Sequence, residues 1–99
     1  MPEAMRDAQD KRVVERVQTG VRIEKRILKV TKGLAEVLDV SLGDLLEGIL
    51  LHNFEGKTPF APRTLHQIET LRALHGLDLT SADAHVLKEK QPPRRRTTK

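Results

Sequence analysis

Between Val17 and Ile23 the β-branched residues fall on every second position, Val17, Thr19, Val21 and Ile23, with Gln18, Gly20 and Arg22 in the alternate places. β-Branched side chains lose rotamer freedom in a helix and pack well on a pleated surface, so this period of two predicts one short strand with an apolar and a polar face. A rival helical stripe through Val13, Val17, Val21, Leu28 and Thr31 would carry Gly20 in its middle, at a cost of about 1 kcal/mol. The chain has no second segment of this period. A lone strand leaves its N–H and C=O groups unpaired along both edges, so its mate is expected from a second copy, antiparallel about a two-fold axis.

After Ile23 the period changes. Ile27, Val30, Leu34, Val37 and Leu38 repeat at three and four residues, which predicts an amphipathic helix over about 25–38. Asp39-Val40-Ser41 breaks it, and Ser41 followed by Asp44 has the spacing of a capping box. A second helix to about residue 54 carries Leu42, Leu45, Leu46, Ile49, Leu50 and Phe54, the most apolar stretch of the chain, and is read as the core; its Gly48 is read as a point of close backbone approach. Residues 56–62, with Pro59 and Pro62, read as a loop. Leu65, Ile68, Leu71 and Leu74 mark a third helix ending near Gly76, and Thr80 with Asp83 opens a short last helix through about Lys88. The organisation that results is an N-terminal arm (1–16), a strand with two helices (17–55), a helical extension (56–90) and a basic tail (91–99). Pro92 and Pro93 prevent a helix from continuing into that tail, which is expected to be disordered.

Ninety-nine residues make one small domain, and domains of this size usually need a staple. Cysteine is absent, which removes disulfides and thiolate metal sites and leaves association between chains. The aromatic share of 2% argues against stacking bases on aromatic platforms. No apolar run approaches the roughly 18 residues needed to cross a bilayer, and acidic residues precede any apolar stretch, so no membrane partner and a cytoplasmic location are expected. His52, His66, His75 and His85 form no adjacent-turn pair, so no metal is predicted. Neither Gly-x-Ser-x-Gly, a phosphate-cradling glycine loop nor His-Glu-x-x-His occurs, and the chain reads as a non-enzyme without a cofactor.

The net charge of +4 conceals a pattern. Residues 17–32 hold five Lys and Arg against one Glu, residues 33–60 one Lys against five acids, and residues 88–99 six Lys and Arg against one Glu. Two basic blocks thus flank an acidic middle, as on a surface that attracts a polyanion. The first block supplies Lys25, Arg26, Lys29 and Lys32 for contact with phosphates by counterion release. Arg94, Arg95 and Arg96 in the tail are candidates for nonspecific contact.

The order and spacing of residues 17–50, an alternating strand, a helix of four turns holding Ala35, a tight break, a Ser41 cap and an apolar helix, resemble the ribbon-helix-helix family of DNA-binding proteins, whose members include the Arc and methionine repressors. The resemblance implies a mainly α ribbon-helix-helix homodimer, with one short strand per chain joined in an intermolecular two-stranded ribbon and a C-terminal helical extension. It implies base contacts from Gln18, Gly20 and Arg22, and a backbone phosphate at the second helix's N-terminus, on Ser41, Leu42 and Gly43; Lys25 and Lys29 add phosphate contacts by their charge. The chemistry agrees in part. The major groove, about 12 Å wide, admits such a ribbon, Arg can pair with guanine and Gln with adenine, and helix N-terminal amides attract phosphate. Gly20 has no side chain to read a base, Glu24 replaces the family's usual proline or short polar cap, and Asp39 and Asp44 place carboxylates beside the phosphate position. The function expected is sequence-selective binding of double-stranded DNA in transcription regulation, as a repressor. Two alternatives are an antitoxin-type protein whose residues 57–90 bind a protein partner, and a purely helical interaction module in which residues 13–38 form one helix.

Overall fold

A computed structural model of the chain describes residues 12–90, and the fold is mainly helical. Among the described residues three α-helices follow one another, α1 (Lys25–Leu38), α2 (Leu42–Phe54) and α3 (Pro62–His75), and then one 3-10 turn, Ser81–Asp83. Among the described residues of this single chain there is no strand, and residues 12–24 form neither helix nor strand. Because α1 begins only at Lys25, one continuous helix over residues 13–38 is not present.

Each helix boundary has a local cause. The Glu24 carboxylate accepts a hydrogen bond from the Ile27 N–H at 2.9 Å and so satisfies a first-turn donor of α1. Asp39 ends the helix in the left-handed region (φ 60°), where its N–H reaches the carbonyls of Ala35 and Glu36. Asp is one of the few residues other than Gly that visit this conformation. The Ser41 hydroxyl accepts from the Asp44 N–H at 3.0 Å to start α2. Pro62, expected in the loop, instead opens α3: its fixed φ suits the first helical position, where an N–H would have no partner. Gly76, at φ 64°, closes α3 with its N–H on the carbonyls of Arg72 and Ala73.

The expected last helix through Lys88 is reduced to the 3-10 turn. Thr80 and Asp83 do form a reciprocal capping box, with the Thr80 N–H on the Asp83 carboxylate at 2.9 Å. Ala84 is then extended and His85 adopts φ 71°, so the helix stops. Nucleating a helix fixes several residues for one hydrogen bond, and Val86 and Leu87 remain exposed, so packing does not offset that cost.

α1 lies at the centre. It packs against α2 and, more extensively, against α3, while the backbones of α2 and α3 stay apart from each other. Among the described residues the buried apolar ones are Val30, Leu34 and Ala35 of α1 and Leu45 of α2. Around Leu34, Ala35 and Leu45 pack Leu38, Val40, Ile49, Phe60, Ile68 and Leu71, so the extension supplies part of the same core. Two expectations are corrected here. The apolar α2 is not the core of this chain, since Leu45 alone is buried while Leu50, Leu51 and Phe54 face outward. No backbone approaches Gly48 within one chain, since a Cβ there would meet nothing within 4 Å; a Cβ on Gly33 would instead lie 2.9 Å from Cδ2 at the end of the Leu71 side chain.

Leu34, 4% exposed, has few apolar neighbours to spare. Leu34→Ala is expected to destabilise the fold by about 2–5 kcal/mol. Leu74→Ala, on the outer side of α3, should stay within about 0.5 kcal/mol. Urea denaturation followed by circular dichroism compares the two.

Candidate nucleic-acid interface

Upstream of α1 the chain is pinned at two points. Arg16 makes a forked pair with Glu47 of α2, Nε to Oε2 at 2.7 Å and Nη2 to Oε1 at 2.8 Å. Arg22 pairs with Glu89, its Nε lying 3.2 Å from Oε1 and its second N–H group on Oε2. Between these anchors Gln18 and Gly20 are exposed. So are Val17 and Val21, at 79% and 74%, and Ile23 at 42%, which means that the apolar side of the segment is largely uncovered in one chain.

Lys25, Lys29 and Lys32 follow on α1, spaced four and three residues apart and therefore on one helix face. All three are exposed and have no ion-pair partner among the described residues. Arg26, grouped with these lysines by charge alone, has a different task. Its Nε binds Glu24 at 2.9 Å, and one terminal nitrogen reaches the Gly76 carbonyl at 3.0 Å and Asp78 at 3.1 Å. It thereby ties the start of α1 to the end of α3, with Nε and one terminal nitrogen engaged within the chain.

At the start of α2, Ser41 acts as the cap, Leu42 is half-buried and Gly43 is exposed, with no atom within 4 Å of a Cβ placed on it. The Leu42 and Gly43 N–H groups have no protein acceptor among the described residues, the ordinary condition of a first turn. Arg22 and Lys25 line one groove with Val21, Ile23 and Leu87. Among the described residues no hydrogen bond or ion pair links that groove to Ser41, Leu42 or Gly43 in the single chain. Arg94, Arg95 and Arg96, like residues 1–11 of the arm, lie outside the described residues.

Three contributors went unnoticed in the sequence: Glu47, Glu89 and the bridging role of Arg26. Their partners are 31, 67 and as many as 52 residues away, separations that no local spacing rule detects. Among the described residues, no cluster of three or more His, Asp or Glu could hold a metal ion, and no helix is long and apolar enough to cross a membrane. No protein-family model, curated protein or solved structure matches the chain.

The electrostatics of the anchors give a pH dependence. The Ile27 N–H, with help from Arg26, holds the Glu24 carboxyl below its ordinary range, and the Arg16 guanidinium does the same for Glu47. A carboxyl whose pKa falls on folding adds stability that is complete above its unfolded pKa and disappears as pH drops through the folded value. The urea midpoint should therefore decline on acidification through and below the ordinary carboxylate range. In Glu24→Gln/Glu47→Gln that decline should be shallower, as read by circular dichroism at stepped pH.

Proposed function

We propose that this chain acts as a ribbon-helix-helix homodimer that binds double-stranded DNA and regulates transcription. Residues 17–23 of two chains pair as an antiparallel ribbon in the major groove, with Gln18 and Arg22 toward the bases and Gly20 letting the ribbon sit close. The lysines at 25 and 29 take backbone phosphates, and the amides of Leu42 and Gly43, beside the Ser41 cap, take another.

The observation that carries this reading is the segment ahead of α1. It lacks helical structure, exposes its β-branched row together with Arg22 and Gln18, and leads directly into a capped helix with an exposed lysine face. Burying that row requires a second surface. The outward Leu50, Leu51 and Phe54 of α2 need one as well, because so few residues are buried within one chain. The protein-partner reading of residues 57–90 has less support, since Ile68 and Leu71 of α3 already pack toward α1 and only Leu65 and Leu74 of its stripe remain outward.

Backbone chemical shifts of residues 17–23 should be those of a strand, and light scattering should give the mass of two chains. Duplex affinity, measured by fluorescence anisotropy, should fall with added salt, and Arg22→Ala should lower affinity for a preferred duplex about 5- to 150-fold. Lys29→Gln removes one phosphate contact from each of two chains and should reduce the slope of log affinity on log salt by about 2. A monomer with no salt-sensitive affinity for any duplex refutes the proposal.

A further inference from the structure

Residues 88–99 contain a single acidic side chain, Glu89, and it lies on Arg22, the arginine assigned above to base contact. The two N–H groups that Arg22 directs at this carboxylate are the fork that a guanine edge or a phosphate would engage. One guanidinium edge cannot serve both acceptors.

Several features bring Glu89 to this place. Arg26 grips the Gly76 carbonyl and Asp78, holding the exit of α3 against the start of α1. The capped 3-10 turn Ser81–Asp83 and the left-handed His85 then redirect the chain so that Leu87, Lys88, Glu89 and Lys90 border the groove beside residues 21–26. The pair itself stays open to water, with Arg22 80% and Glu89 60% exposed. Exposed ion pairs are weak, so this one can be displaced and would modulate affinity rather than abolish it.

We infer that residues 86–90 form a built-in competitor for DNA, in which Glu89 occupies Arg22 in the free protein and leaves it when a duplex binds. The inference rests on the DNA-binding reading above and adds a regulatory contact to the same site. A ligand or partner that drew residues 86–90 away would raise DNA affinity by the same route.

The test uses the full chain, a labelled mixed-sequence duplex at low salt, and four variants: Glu89→Gln, Arg22→Ala, their combination, and Glu55→Gln. Glu55, exposed and paired with Lys57 at the end of α2, controls for loss of one negative charge. Glu89→Gln is expected to bind about two- to fivefold tighter than the native chain. Glu55→Gln should show a smaller gain, and the advantage of Glu89→Gln should vanish when Arg22 is absent. Equal gains from the two glutamine variants, no gain from Glu89→Gln, or a gain that persists without Arg22 would each overturn the inference while leaving DNA binding intact.

A second readout needs no DNA. The Arg22 Nε–H resonance should move in Glu89→Gln and remain in place in Glu55→Gln; an unmoved signal overturns the inference by itself. If the signal moves but no variant binds any duplex, the ion pair exists and both the DNA reading and the competition fall.

Discussion

The fold depends on one buried stripe. Val30, Leu34 and Ala35 lie along α1, and among the described residues the backbone of α1 lies close to both other helices. The backbones of α2 and α3 stay apart, and their core side chains meet around Leu34 and Ala35 of α1. The caps follow the same logic. Glu24 starts α1, Asp39 ends it, and Arg26 joins its first turn to the end of α3, so the polar framework and the apolar core converge on the same fourteen residues.

A chain with this layout is only partly enclosed. The helix with the most apolar sequence leaves Leu51 63% and Phe54 77% exposed, while Val17 and Val21 stand open beside the start of α1. Small domains bury too little of their own surface to be comfortably stable, and this one has no disulfide to help. The pairing of two chains proposed above would give the upstream segment hydrogen-bond mates and α2 a cover, so one association would answer both needs. The exposed lysine face of α1 carries its charge next to the segment that would form the ribbon.

How far the sequence could be read depended on the range of the interactions. α1 and α2 were legible almost to the residue, because their apolar periods and the breaks at Asp39 and Ser41 are local signals. The end of α3 was legible from Gly76 for the same reason, whereas Pro62 was ambiguous, since proline suits both a loop and a first helical turn. The last helix is shorter than its signals predict: its capping box forms, but a cap cannot sustain a helix whose apolar residues find nothing to pack on. Of the candidate site, the exposed positions of Gln18, Arg22, Lys25 and Lys29 were legible, and so was the Ser41 cap. The partners Glu47 and Glu89, and the bridge through Arg26, were not, because they depend on how distant parts of the chain come together.

The tight seat of Leu71 over Gly33 has an evolutionary implication. Volume at these two positions is shared, so a small residue at 33 needs only a turn of the Leu71 side-chain end, while a bulky one is best matched by a smaller side chain at 71. Relatives of this chain should therefore exchange bulk between the two sites, keeping the total nearly constant while the individual residues drift.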